Sequence, residues 1–232
     1  MKIVAISDTH NRHKHLTSKG MGDLLPEGDL LIHAGDLTGQ GLKSEVESIL
    51  KWFVEVAPRY TNGIVFIAGN HDRSFDPKFN LESETEKPLW LQEALNNLPS
   101  SVQYLENQSI MVDGLKIWGS PVTPWFHGDR WAFNKHRGPD IKEVWDMIPE
   151  DTDVVVTHGP VYGKLDFTSY DKLYVGCHEL EKRIYKIKPK IHISGHIHEG
   201  YGMTYDEFTS YYNASICTLG YEPDNKPFII EL

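Results

Sequence analysis

The amino-acid sequence predicts an α/β fold in which helices pack on buried β-sheets. Short runs rich in Ile and Val lie at residues 2–7, 29–35, 63–69, 153–159 and 190–195. Continuous apolar runs of this length are typical of strands that are buried on both faces. Helix-like segments lie between these runs, at residues 44–56, 88–97, 139–148 and 176–187. Strands that alternate with helices in this way favour a layered α/β arrangement.

Local signals mark where some of these elements begin and turn. Ser44 stands at the start of the helical segment 44–56 and is a candidate N-cap. An Asp-Gly pair at 113–114 lies between two alternating segments within residues 109–120, which predicts a β-hairpin. Residues 202–232 also alternate polar and apolar side chains, so we expect further antiparallel strands there.

Composition and charge exclude several classes of function. The chain has 232 residues and a formal net charge of −10, without a run of Lys or Arg that would follow a nucleic-acid backbone. No apolar run approaches the ~20 residues of a membrane span. The two cysteines, Cys177 and Cys217, are too few for a disulfide framework. We therefore expect a single domain over residues 1–232 in the cytoplasm, with no membrane and no extended nucleic acid as partner. The oligomeric state stays open.

Polar residues able to bind metal follow each of the five apolar runs. They are Asp8-Thr9-His10, Gly35-Asp36, Gly69-Asn70-His71-Asp72, Thr157-His158-Gly159 and Gly195-His196-Ile197-His198. Each motif alone is compatible with an ordinary turn, because Asp, Asn and Gly are typical turn residues. Ligands of open α/β sheets bind beyond the carboxyl ends of the strands, where these five motifs would meet. Together they predict one metal site.

The donor types indicate which ions the site would hold. Carboxylates, imidazoles and one amide oxygen suit Mn²⁺, Fe²⁺, Co²⁺, Zn²⁺ or Ni²⁺. No cysteine lies near the motifs, which excludes a structural thiolate zinc site. Two divalent ions beside two carboxylates leave a net positive charge, which suits a phosphate ester whose negative charge grows as it is attacked.

The five motifs, in this order, resemble those of the calcineurin-like metallophosphoesterase superfamily. The resemblance spans residues 8 to 198, and it is closest to a subgroup of small single-domain phosphodiesterases. It implies a four-layer α-β-β-α sandwich of two mixed β-sheets flanked by helices. The hairpin within 109–120 and the C-terminal β region would then build the second sheet. Some members of the subgroup have glycine where this chain has His196, so this chain is expected to be fully competent in metal binding.

The resemblance also implies the roles of the motif residues. The first metal would be bound by Asp8, His10, Asp36 and His198, and the second by Asp36, Asn70, His158 and His196. Mn²⁺ is the expected ion, with Fe, Zn, Co, Ni or Mg as alternatives. A hydroxide that bridges the two ions would be the nucleophile. His71 would hydrogen-bond a phosphate oxygen or protonate the leaving group, and Asp72 would orient His71.

Substrate contacts are predicted from residues that flank the motifs. They are Asn11, Arg12, Thr38, Trp125, His127 and Tyr162. Aromatic residues of the segment 121–133 would either stack on a nucleobase or form a packed loop. The expected partner is a small phosphate ester or nucleotide.

The expected reaction is hydrolysis of phosphodiesters, including cyclic nucleotides or other nucleotide-type substrates. The alternatives are a phosphomonoesterase or protein phosphatase, a nuclease, and a non-catalytic nucleotide-binding protein. The protein phosphatases of the superfamily carry an arginine soon after Gly-Asp, whereas residues 35–41 of this chain read GDLTGQG. This difference disfavours a protein phosphatase.

Overall fold

Two β-sheets form the centre of the protein, which we describe from a computed structural model over residues 1–18 and 24–232. The strands of the first sheet are Lys2–Ile6 (β1), Leu30–Ala34 (β2), Ile64–Ile67 (β3), Val102–Tyr104 (β4) and Phe228–Glu231 (β15). Those of the second are Gln108–Val112 (β5), Leu115–Ser120 (β6), Val154–Thr157 (β9), Ile191–Ser194 (β12), Gly202–Tyr205 (β13) and Ser210–Asn213 (β14). Two small pairs join Thr123–Pro124 (β7) to Asn134–Lys135 (β8) and Phe167–Thr168 (β10) to Leu173–Tyr174 (β11).

Both sheets are mixed. The first has the strand order β15-β1-β2-β3-β4, in which β1 to β4 run parallel and β15 is antiparallel to β1. The second has the order β13-β14-β12-β9-β6-β5, with a parallel centre and antiparallel strands at both edges. The parallel strands β1, β2, β3, β9 and β12 are the five apolar runs of the sequence.

Four helices cover the outer faces of the sheets. Lys43–Val56 (α1) and Leu89–Asn96 (α2) pack on the first sheet, and Pro139–Asp146 (α3) and His178–Ile187 (α4) pack on the second. The result is the α-β-β-α order of layers that the resemblance implies. No helix in the described ranges is long and apolar enough to cross a membrane.

Side chains of β1 show how one strand contributes to two apolar cores. Ile3 and Ala5 lie in the core between the sheets, whereas Val4 and Ile6 lie in the core beneath α1. All four are fully buried. Burial of one such Ile or Val side chain stabilises a fold by roughly 1.5–3 kcal/mol. A continuous apolar run is therefore required in a strand that is covered on both faces.

Some predicted elements form as expected and two details differ. Asp113 and Gly114 have φ values of 46° and 82°, as the left-handed turn of a two-residue hairpin requires. The C-terminal strand β15 joins the first sheet rather than the second. Ser44 is not the cap of α1, because the helix already begins at Lys43. The Glu45 carboxylate instead accepts hydrogen bonds from the Leu42 and Gln40 backbone N–H groups, at 3.0 Å each.

Candidate metal centre

The loops after β1, β2, β3, β9 and β12 meet at one edge of the two sheets. Three groups of residues there could each bind a metal ion, because the donor atoms within each group lie within 4.8 Å of one another. The groups are Asp8, His10 and His198; His10, Asp36 and His71; and Asp36, His158 and His196. The amide oxygen of Asn70 lies 2.9 Å from His158 Nε2. The structure thus brings together all seven residues that were predicted as metal ligands.

Several of these residues have a left-handed backbone. The φ values are 49° for Asp8, 41° for His10, 51° for Asp36 and 67° for His196. Residues other than glycine rarely adopt this conformation, and it is found most often where function requires it. The bend at His196 also breaks the alternation of an extended chain. It allows His196 and His198, two residues apart, to face the same centre.

Glycines in the motifs allow the loops to approach one another closely. A Cβ atom on Gly195 would lie 2.0 Å from Asp8 Oδ2 and 2.1 Å from Ser7 Oγ. A Cβ atom on Gly69 would lie 2.3 Å from Asp36 Oδ1. Any side chain at these two positions would displace a candidate ligand.

Three histidines are oriented by hydrogen bonds to backbone carbonyl groups. His10 Nδ1 donates to Thr38 O at 3.2 Å, His158 Nδ1 to Ala34 O at 2.9 Å, and His198 Nδ1 to Thr218 O at 2.8 Å. A carbonyl oxygen can only accept, so each ring carries a proton on Nδ1, and Nε2 is the nitrogen atom that faces the centre. This is the tautomer that metal-binding histidines adopt in proteins.

The Nε2 atoms of these histidines converge on the buried carboxylates of Asp8 and Asp36. His10 Nε2 and His198 Nε2 are only 3.1 Å apart, and two lone pairs at this distance repel unless a proton or a cation lies between them. Asp36 lies between two histidines, with Oδ2 3.7 Å from His10 Nε2 and Oδ1 3.3 Å from His158 Nε2. The donor set therefore fits bound cations, with Asp36 in a position to be shared.

Burial and the charges of neighbouring residues together set the pKa values of these groups. Burial raises the pKa of the Asp8 carboxyl, but the hydrogen bond and the charge of His198 outweigh this effect and hold the pKa below its usual value. Burial lowers the pKa of His10 to about 4 and that of His196 to about 3. Burial lowers the pKa of His158 and His198 too, but the charge of Asp36 outweighs this effect and raises the pKa of His158 to about 9, and the hydrogen bond to Asp8 raises that of His198. Metal binding requires neutral imidazoles, so a divalent ion at this centre would displace protons from these two rings.

His71 faces the same centre with one nitrogen atom. Its Nδ1 donates to Gly39 O at 2.7 Å, which leaves Nε2 available to a substrate. Its backbone N–H donates to Asp36 Oδ1 at 2.8 Å. The His71 ring packs between the rings of His10 and Trp131, with centroid distances of 4.6 Å to each. The imidazole is therefore held in place from three sides.

The structure does not place Asp72 against the His71 ring, which corrects the role expected for it. The Asp72 carboxylate accepts hydrogen bonds from the backbone N–H groups of Leu37, Thr38 and Gly69, and from the Thr38 hydroxyl at 2.7 Å. Asp72 acts on the site through the backbone, because it joins the loop after β2 to the loop after β3.

The predicted substrate contacts separate into two groups. Trp125 and His127 line a cavity together with His196, and Asn11 and Arg12 are exposed at the end of the first motif. Thr38 is fully buried, so a direct contact with substrate is not what the structure shows.

Tyr162 is also placed away from that cavity. Its ring packs on His178 with a centroid distance of 3.6 Å, and it is not among the residues that line the cavity beside His196. The loop after the fourth motif turns toward α4, whose first residue is His178. Contact between Tyr162 and a substrate stays a prediction.

Two residues at the centre have no signal in the sequence. Tyr221 has a left-handed φ of 61°, and its ring lies 4.8 Å from the His10 ring and 5.2 Å from the His198 ring. Ser215 donates a hydrogen bond to Asp8 Oδ2 at 2.9 Å. Both lie in the irregular segment between β14 and β15, and neither belongs to a pattern that points to metal chemistry.

Comparisons with known proteins agree with this geometry. The family model for calcineurin-like phosphoesterases matches residues 1–200. Human metallophosphoesterase domain-containing protein 1 is 38% identical over 242 residues, a match that covers all of this chain and 71% of the human protein.

Solved structures show the same fold at low sequence identity. Phosphopantetheinyl hydrolase from Mycobacterium tuberculosis is 14% identical with a TM-score of 0.57, over 92% of this chain and 88% of that one. A Thermus thermophilus protein, TT1561, is 12% identical with a TM-score of 0.55, over 91% and 88%. From the family match and the human relative, the chain belongs to the calcineurin-like phosphoesterase family of metal-dependent phosphoric ester hydrolases.

Proposed function

We propose that this protein hydrolyses phosphodiesters at a centre of two divalent metal ions. The observation that carries the proposal is the convergence of histidine Nε2 atoms on two buried carboxylates. His10 and His198 face each other beside Asp8, and His158 faces Asp36 and Asn70. Neighbouring groups of this kind are stable together when cations lie between them.

The two ions would share Asp36. Asp8, His10 and His198 would complete the first site, and Asn70, His158 and His196 would complete the second. Such ions supply Lewis acidity to the phosphoryl oxygens and lower the pKa of a water molecule. Mixed oxygen and imidazole donors support Mn²⁺ as the bound ion.

The protein side chains would position the ester and manage its proton. His71 Nδ1 is held by Gly39 O, so Nε2 is the atom that reaches the substrate. In its protonated form, His71 Nε2–H would donate to a phosphoryl oxygen and then to the departing alkoxide or phenolate. The contacts of His71 with His10 and Trp131 keep the ring from rotating away.

A diester is preferred over a monoester because of the charges around the centre. The loop after β2 carries Thr38 and Gln40, where the protein phosphatases of the superfamily carry arginine. Thr38 points into the protein and bonds Asp72. A dianionic monoester would gain no guanidinium contact from this loop, whereas a monoanionic diester has less need of one.

The test compares a diester with a monoester on the same protein. Chelator-stripped protein is supplied with Mn²⁺ and assayed on bis-p-nitrophenyl phosphate and on p-nitrophenyl phosphate. We expect a higher kcat/KM for the diester. Asp36→Asn and His71→Ala should each lower it by about 10²-fold or more, the range for loss of a positioned acid–base group. Asp146→Asn, an exposed carboxylate on α3, is the matched control and should be unchanged.

Two results would count against the proposal. A higher kcat/KM for the monoester would make the protein a phosphomonoesterase. Full diester activity in both Asp36→Asn and His71→Ala would show that the hydrolysis does not occur at this centre.

A further inference from the structure

A cavity opens beside the candidate metal centre, on the side of His196. Its volume is about 370 Å³, which is within the range of pockets that bind small molecules. Trp125, Phe126 and His127 form one wall, and Pro160 and Arg137 contribute to the others. These residues come from the segment after β6 and from the loop after β9, so the cavity lies between two loops of the second sheet.

The cavity and the metal centre share a residue. His196 is a candidate ligand and also lines the cavity. The edge of the Phe126 ring packs against the His196 ring, with a centroid distance of 4.8 Å. A phosphate bound at the centre therefore has the cavity directly beside it, and a group esterified to that phosphate can enter it.

The walls favour a flat, uncharged ring. The Trp125 ring stacks on His136 at 5.7 Å and 25°, and the Phe126 ring stacks on Trp131 at 5.9 Å and 17°. Trp125 nevertheless keeps 41% of its surface exposed, so it offers aromatic surface that no protein group covers. Ring faces of this kind bind nucleobases and aryl groups by stacking.

Arg137 does not turn the cavity into an anion site. Its guanidinium donates to the backbone carbonyls of Gly176 and Val175, at 2.7 and 2.6 Å. These bonds hold the guanidinium against the backbone, and Asp171 also lines the cavity, where a carboxylate disfavours an anion. The cavity therefore suits an uncharged heteroaromatic ring better than a second phosphate.

The position of His71 decides which ester group enters. His71 would protonate the leaving group, and it is not among the residues that line the cavity. Its ring lies between those of His10 and Trp131, with centroid distances of 4.6 Å to each. A leaving group protonated by His71 would depart toward His71, so the cavity is assigned to the group that stays on phosphorus.

We propose that this cavity binds the nucleobase or aryl ring of the ester group that remains on phosphorus, and so selects diesters with a planar group on that side. The inference rests on the proposed phosphodiesterase function and adds the substrate class to it. Trp125 is the main stacking surface, and Phe126 supports the wall next to His196.

The test keeps the leaving group constant and changes only the retained group. Methyl, phenyl and thymidine 5′-esters of p-nitrophenyl phosphate all release p-nitrophenolate. We expect wild-type kcat/KM to be roughly 5- to 150-fold higher for the thymidine ester than for the methyl ester, the range supplied by stacking of one base. Trp125→Ala should bring this ratio close to one, because the loss in kcat/KM falls on the thymidine ester.

Two further variants separate stacking from a structural effect. Trp125→Phe keeps a ring and should retain most of the preference. Tyr185→Ala removes an aromatic ring that is 74% exposed on α4 and should leave all three rates unchanged.

The outcomes separate the two proposals. Equal wild-type rates on the methyl and thymidine esters, or an equal loss on all three esters in Trp125→Ala, would overturn the cavity inference and leave the phosphodiesterase function standing. Absence of hydrolysis of every ester in the presence of Mn²⁺ would overturn both.

Discussion

Gly69 lies where two of the loops that carry the candidate ligands approach each other closely. A Cβ atom there would lie 2.3 Å from Asp36 Oδ1, 2.4 Å from the Asp36 backbone nitrogen and 2.7 Å from His158 Cε1. Ordinary contacts begin at 3.4 Å, so the shortfall at Asp36 Oδ1 is 3.4 − 2.3 = 1.1 Å. The Asp36 backbone nitrogen cannot rotate away as a side chain can. Gly69→Ala must therefore move Asp36 by about 1 Å, close to the shortfall in contact distance.

The consequence can be estimated for both activity and stability. A displacement of about 1 Å at a catalytic centre lowers activity by roughly 10²-fold. An extra methyl group in a packed site costs typically ~1–3 kcal/mol of the free energy of unfolding. We expect Gly69→Ala to lose about 10²-fold in kcat/KM for bis-p-nitrophenyl phosphate, with weaker Mn²⁺ binding.

Gly159 provides a matched control. It adjoins His158, but a Cβ atom there would meet its nearest neighbours, Thr123 Cγ2 and Pro124 Cδ, at 3.3 and 3.4 Å. Gly159→Ala also reduces the freedom of the unfolded chain, which offsets a small clash by about 0.4–1 kcal/mol. This variant should keep its metal content and most of its activity.

The assay measures three quantities on both variants. They are kcat/KM at saturating Mn²⁺, metal content after dialysis, and the free energy of unfolding in urea with chelator present. If Gly69→Ala matched Gly159→Ala in all three, the close approach of the two loops would not matter for the centre, and our reading of these glycines would be refuted.

Two further predictions concern stability. Burial lowers the pKa of His192 to about 3, so the unfolded chain binds a proton below pH ~6.5 that the folded protein excludes. Stability present above that pH is lost as the pH falls. Between pH 6.5 and 4.5, urea unfolding should show the wild type losing about 2 kcal/mol more than His192→Gln; equal losses would contradict this. Lys188 follows α4 as its C-cap with φ 50°. In urea unfolding, Lys188→Gly should therefore raise the midpoint and the free energy of unfolding, and Lys182→Gly, within the helix, should lower both, with a change in free energy of up to about 1 kcal/mol each. A lower midpoint in Lys188→Gly would contradict the cap assignment.

Local patterns explain which parts of the fold could be predicted. Strands β1 and β9 are apolar along their whole length because both faces are covered, and that pattern is visible in a few residues of sequence. The placement of β15 could not be predicted in the same way. Its pairing of Glu231 with Lys2 joins the two ends of the chain, and nothing local to either segment determines which sheet it joins.

The residues of the candidate site could also be predicted only in part. The motif residues could be grouped because they follow strands whose carboxyl ends meet, although their roles as ligands stay predictions. Thr38 looked like a substrate contact because it follows Asp36, but its hydroxyl turns inward to Asp72. Tyr221 could not be found at all. Its ring contacts those of His10 and His198 because its backbone is left-handed. An aromatic residue gives no indication of this conformation in the sequence.

Metal stoichiometry tests the central claim most directly, namely that the converging donors form two sites that share Asp36. Chelator-stripped protein would be titrated with Mn²⁺, and bound metal would be measured together with diester hydrolysis. We predict two ions per wild-type chain, and one ion with little hydrolysis in His196→Ala and in His198→Ala. A single ion in the wild type, or two ions retained in both variants, would contradict the account.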